Sequence, residues 1–138
     1  MKIAIINGPN LNMLGQREPE IYGKESFEQY FEKLRRKYEQ VDFDYYQSNV
    51  EGELINELQR AGSTMDAIIF NPGGYSHTSV AIGDAIAFIK APVIEVHISN
   101  IDGREDFRKL SHVSAKCKGT ISGLGLKGYA LAVEYFSK

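Results

Sequence analysis

Five short apolar runs alternate with longer amphipathic stretches along this chain. The runs cover residues 3–6, 41–46, 67–70, 93–97 and 119–122. Those at 3–6 and 67–70 are continuous and rich in isoleucine, as strands buried on both faces are. Between the runs the apolar spacing turns helical. Phe27, Tyr30, Phe31, Leu34 and Tyr38 follow Ser26 and Gln29, a capping-box pair that marks a helix start. Leu54, Ile55 and Leu58 mark a second helix ending near Gly62. Residues 80–90 predict a third, apolar and small, stopped before Pro92. A short helix fits 104–110, and a last one runs from about 126 to 136.

Strands alternating with helices predict an α/β fold: one flavodoxin-like, doubly wound domain over residues 1–138, with a five-stranded parallel sheet in the order 2-1-3-4-5 and helices on both faces. Right-handed crossovers favour that order. Ligands of such sheets bind outside the carboxyl ends of the strands, and this sorts the polar residues. The first strand runs into Asn7, Gly8, Pro9 and Asn10. The third runs into Asn71, two glycines and then Tyr75, Ser76, His77, Thr78 and Ser79. The fourth ends with Glu95, His97, Ser99 and Asn100. Three polar strand ends are expected to meet at one edge of an apolar sheet.

Composition narrows the classes. A net charge of −2 leaves no basic footprint for nucleic acid. No apolar run approaches the roughly 20 residues that cross a membrane. The chain enters a strand-like run at once, so no signal peptide is expected. The single cysteine, Cys117, excludes an internal disulfide and reads as an incidental thiol of a reducing cytoplasm.

Residues of about 8–23 have neither helical nor strand period and are punctuated by Gly8, Pro9, Gly15, Pro19 and Gly23. So long a loop in a compact domain is usually functional, and here it reads as a lid. It carries Arg17 five positions before Tyr22. A free phenol ionises near about 10, so about one in a thousand is charged at neutral pH. Guanidinium groups nearby favour the phenolate and keep their own charge. Arg17 is in the same loop, and Arg104 and Arg108 are spaced to share a helix face. A packed or solvated tyrosine, one of eight, is the plainer alternative.

Glu95 and His97 lie two apart on a strand and point to one face, with Ile94, Val96 and Ile98 on the other. A carboxylate beside an imidazole fixes its tautomer and favours its protonated form, which makes a usable general acid. A structural hydrogen-bonded pair is the alternative, and metal binding by Glu95, His97 and His77 is a weaker one. The turn before residues 78–79 would offer backbone N–H groups to an anion, or Thr78 or Ser79 would merely cap the helix. His112, in a polar segment, reads as surface. Asp84 lies in an apolar helix and suits either a subunit interface or solvent. No lysine falls in the strand-end loops, so imine chemistry has no candidate.

These residues carry a resemblance. Asn7-Gly8-Pro9-Asn10-Leu11 with Gly15, Arg17, Glu18, Pro19, Tyr22 and Gly23, the run from Asn71 through Ala81, the run from Pro92 through Asn100, Arg104-Glu105-Asp106-Phe107-Arg108 and the segment from Gly123 to Tyr129 resemble type II 3-dehydroquinate dehydratases over nearly the whole chain. The resemblance implies reversible dehydration of 3-dehydroquinate to 3-dehydroshikimate, in the shikimate route to aromatic amino acids or in quinate breakdown. It implies Tyr22 as base, Arg17 holding it as phenolate, Asn10 positioning a water at the enolate oxygen, and His97, oriented by Glu95, as acid. It further implies Asn71, His77, Arg108 and the backbone at Ile98 and Ser99 as substrate contacts, Arg104 as an aid to lid closure, and Asp84 reaching a neighbouring subunit's site. It implies no cofactor, no metal and a dodecamer built from trimers. A non-catalytic module of the same fold binding a small carboxylate is the competing expectation.

Overall fold

The computed structural model describes residues 1–16, 20 and 24–137. Arg17 and Tyr22, and with them much of the expected lid, lie outside the described residues. Five parallel strands form one sheet in the order β2-β1-β3-β4-β5: β1 (Lys2–Asn7), β2 (Asp42–Gln47), β3 (Ala67–Asn71), β4 (Val93–His97) and β5 (Gly119–Ser122). The central strands β3 and β4 are buried along their whole length, and β1 is buried beyond Lys2. The edge strands β2 and β5 are only partly covered.

Four α-helices lie among the described residues: α1 (Phe27–Lys37), α2 (Glu51–Thr64), α3 (Val80–Phe88) and α4 (Lys127–Phe136). The alternation of side chains along each strand divides the core in two. Ile3, Ile5, Ile69, Ile94 and Val96 face α1 and α4. Ala4, Ile6, Ile68, Phe70 and Val93 face α2 and α3. The expected capping box is present: Ser26 Oγ accepts the Gln29 N–H at 3.1 Å, and Gln29 Oε1 accepts the Ser26 N–H at 3.1 Å.

Some boundaries differ from the sequence expectation, each for a physical reason. Helix α2 runs past Gly62 to Thr64. Gly62 is there for packing: a Cβ would sit 2.5 Å from the Cβ of Ile89. The expected helix over 104–110 shrinks to a 3-10 turn at Asp106–Lys109. In the first half of the long loop, Leu11–Met13 form a 3-10 turn, and Leu11 and Leu14 are buried in the α1/α4 core. His112, expected at the surface, is partly buried, and its backbone N–H donates to the Ser76 carbonyl at 2.8 Å.

That contact places the 110–114 segment tightly against α3. A Cβ on Gly83 would lie 2.2 Å from the His112 carbonyl oxygen, closer than any real contact. Gly83→Ala is expected to destabilise the fold by about 1–3 kcal/mol through overpacking. A denaturant midpoint equal to that of the parent would show that the helix can simply move away.

Candidate active site

The parallel register sets Asn7 of β1 beside Asn71 of β3, so two amides stand together at the carboxyl edge of the sheet. Tyr129, fully buried at the start of α4, ties them together. Its hydroxyl donates to Asn7 Oδ1 at 2.8 Å and accepts from Asn71 Nδ2 at 2.9 Å. Asn71 Oδ1 in turn accepts the Gly73 N–H at 3.0 Å. Gly8 closes the gap between the loops that follow β1 and β3. Its N–H donates to the Asn71 carbonyl at 2.7 Å, and a Cβ there would lie 2.7 Å from the Pro72 oxygen. The next loop residue but one, Asn10, is the one described non-glycine residue in the left-handed region, at φ 71°, a conformation asparagine tolerates better than most side chains.

Above this floor lies a cavity of about 130 Å³. The three strand ends named from the sequence all reach it. Asn10 lines it from the loop after β1, Asn71 and His77 from β3 and the turn that follows, and His97, Ile98 and Ser99 from β4. Arg104 and Arg108 close a further side, half-sheltered from solvent. Arg104 Nη1 donates to Ser99 Oγ at 3.5 Å, and Arg108 Nε donates to Glu105 Oε1 at 2.9 Å. No lysine lines the cavity among the described residues.

Glu95 stands behind His97 rather than in the lining. It is fully buried, and its Oε2 lies 2.5 Å from His97 Nε2. That contact leaves Nδ1 as the His97 nitrogen available to a bound molecule. The other carboxylate oxygen, Oε1, is met by the Ser114 hydroxyl at 2.5 Å. A buried carboxylate without partners is costly; here both oxygens are hydrogen-bonded.

His77 lies beside His97, with ring centroids 6.2 Å apart. Its Nδ1 is 2.7 Å from the Leu110 carbonyl, which can only accept, so the ring proton sits on Nδ1. Burial lowers the pKa of His77; the Leu110 carbonyl opposes this, and the neighbouring His97 and Arg108 add to the lowering. The result is a neutral His77 with its proton on Nδ1 and an unprotonated Nε2. The anion site expected from a helix N-terminus is closed: Ser79 caps α3 by accepting the Ile82 N–H at 3.0 Å, and its hydroxyl bonds Glu51. Asp84 lies on the exposed face of α3, away from the cavity.

Three fully or partly buried phenols behind this edge are held protonated. Burial pushes Tyr30 and Tyr45 up to about 12, and Tyr129 higher still. Burial also pushes the Cys117 thiol up to about 12, with the charge of Glu95 adding to it. Among the described residues, no three His, Cys, Asp or Glu side chains are placed to hold a metal ion, and no helix is long and apolar enough to cross a membrane. Sequence reasoning missed Ser111, Ser114 and the bridging role of Tyr129. The two serines sit in a polar stretch without period, and nothing in their spacing marks them.

Comparison with known proteins gives consistent likenesses. The family model described as "Dehydroquinase class II" matches residues 1–137. A 3-dehydroquinate dehydratase of Fusobacterium nucleatum is 52% identical over the whole of both chains. One of Campylobacter jejuni is 52% identical over 96% of this chain and 85% of its own. The crystal structure of a type II dehydroquinase from Butyrivibrio crossotus superposes with a TM-score of 0.94 at 45% identity, covering 100% of this chain and 98% of that one.

Proposed function

The chain belongs to the class II dehydroquinases, enzymes that dehydrate 3-dehydroquinate, and from that premise we propose that it removes water through an enolate, with Tyr22 as base and His97 as acid, and no imine. The observation that carries this reading is the buried Glu95–His97 pair at the wall of a cavity also lined by Asn71, His77, Arg104 and Arg108.

The reaction begins next to the ketone of 3-dehydroquinate. Tyr22, as a phenolate held by Arg17, takes a proton from C2, and the electron pair moves onto the ketone oxygen as an enolate. Asn10 positions a water that donates to that oxygen. His97 then gives a proton to the C1 hydroxyl, the C–O bond breaks, water leaves and the C1–C2 double bond forms. The enolate collapses to the conjugated ketone, 3-dehydroshikimate. Return of the Tyr22 proton to His97 through solvent restores both groups, and the same steps reversed hydrate the product.

The remaining residues hold the substrate. Asn71, fixed by Tyr129 and Gly73, meets a substrate hydroxyl. Arg108, His77 and the backbone at Ile98 and Ser99 take the carboxylate and the other hydroxyls. Arg104 secures the closed lid. Asp84, on a helix face that also exposes Val80 and Phe88, serves the site of a neighbouring copy in a dodecamer of trimers. Residues 1–138 act as one catalytic domain.

Incubating the pure protein with 3-dehydroquinate and following ultraviolet absorbance of the conjugated enone tests the reading. Growth of that band is expected. Ligand binding by calorimetry with no enone from folded protein would leave only the binding module.

A further inference from the structure

We propose that Ser114, polarised by Ser111, is a positioning residue that keeps Glu95 a carboxylate, so that the proton shared by Glu95 and His97 resides on the imidazole. This rests on the reading of His97 as the acid and adds to it the device that keeps the acid loaded.

The direction of the hydrogen bonds carries the argument. Ser111 Oγ accepts two backbone N–H groups, from Val113 at 3.0 Å and from Ser114 at 2.9 Å. A hydroxyl oxygen has two acceptor lone pairs, so both are used. The remaining Ser111 contact, with Ser114 Oγ at 2.9 Å, must therefore have Ser111 as donor. A third donor into that oxygen would have no lone pair to meet. Ser114 then accepts from Ser111, which frees its own single hydrogen to donate to Glu95 Oε1, at 2.5 Å. With that donor in place Oε1 is the acceptor, which favours the carboxyl proton at the other oxygen. The one place left for a proton is between Oε2 and His97 Nε2.

A donor on Oε1 stabilises the ionised carboxylate far more than the neutral acid. It therefore biases the shared proton toward nitrogen. The chain runs one way: two peptide N–H groups, Ser111, Ser114, Glu95, His97. The other groups facing the pair do not supply this bias. Cys117, behind Glu95, is a neutral thiol. His77 stacks on His97 and is neutral. Arg104 and Arg108 line the cavity in front of His97, where their charges oppose a third cation on the ring. The Glu95 carboxylate beside the ring counters that opposition, and the donor behind it helps keep the carboxylate charged.

The same segment governs both histidines. The carbonyl of Leu110 fixes the His77 tautomer, and Ser111 with Ser114 fixes the proton of His97. Residues 110–114 thus set the two rings in opposite states, one neutral and one protonated, although their centroids are 6.2 Å apart.

The test uses the intact enzyme labelled with ¹⁵N-histidine, in parent form and as Ser114→Ala, Ser114→Cys and Ser114→Thr. Alanine removes the donor, cysteine keeps the volume with a weak donor, and threonine keeps the hydroxyl. Loss of a hydrogen bond to a charged group is expected to lower kcat about tenfold to hundredfold, with KM changed less than about twofold. The His97 ring nitrogens are expected to move from imidazolium toward neutral shifts in the alanine and cysteine variants, and to return in threonine. Folded variants whose His97 signals match the parent would overturn the proposal, whether or not kcat falls. His97→Ala separates the two levels of inference. If it retains turnover, the acid assignment fails, while the nitrogen signals of Ser114→Ala still decide where the serine puts the proton.

Discussion

His97→Ala is expected to lower kcat by about 10²- to 10⁴-fold, the range spanned by one general acid, with KM little changed. The C1 hydroxyl is a poor leaving group, and without a proton it must depart as hydroxide into a cavity already lined by polar groups. In the folded protein the imidazole is held by a fully buried carboxylate at 2.5 Å, so no other described side chain can take over its position. His77, the neighbouring ring, has its proton committed to the Leu110 carbonyl and burial lowers its pKa, which makes it a poor donor. Steady-state rates from enone absorbance, with circular dichroism to show that the sheet is intact, provide the check. A rate within about threefold of the parent, far short of the loss of a general acid, would remove His97 from the acid role and transfer the question to Arg108 or a water.

Tyr22→Phe is expected to be comparably damaging, about 10²- to 10⁴-fold in kcat, because phenylalanine keeps the ring and deletes the hydroxyl proposed as the base. Substrate affinity should survive, since the groups assigned to the carboxylate and hydroxyls lie elsewhere. The alternative phenols are poor substitutes. Burial holds Tyr30 and Tyr45 protonated up to about 12, and Tyr129 donates its hydrogen to Asn7. Guanidinium charge near a phenol is the opposite influence, and it is what would make a phenolate usable at neutral pH. Exchange of the C2 hydrogen with deuterated solvent isolates this step. A Tyr22→Phe variant that still exchanges that hydrogen at the parental rate would assign the base to another group.

The fold was legible because apolar runs and helical spacing repeat along the chain. Strands β4 and β5 have the bounds read from the sequence, 93–97 and 119–122, since both are framed by clear breakers or polar residues. Gly62 misled for a reason that is spatial: it interrupts the pattern like a terminator, yet it is small because Ile89 lies against it. The convergence of Asn71, His77 and His97 followed from strand-end geometry alone. Ser114 did not, because a hydroxyl that reaches His97 only through Glu95 leaves no trace in spacing. Tyr129 sat among eight tyrosines, and only the pairing of Asn7 with Asn71 reveals what it spans.

The bridge made by Tyr129 has a consequence for the order in which the molecule is built. Both asparagines belong to strands that precede the last helix, β1 and β3, while the phenol that locks them arrives with that helix. A chain leaving the ribosome has made both strands before the group that orients their amides. The anchor of the pocket floor thus comes from the last helix of the chain, and a nascent chain halted before residue 129 lacks the one group that joins the two amides.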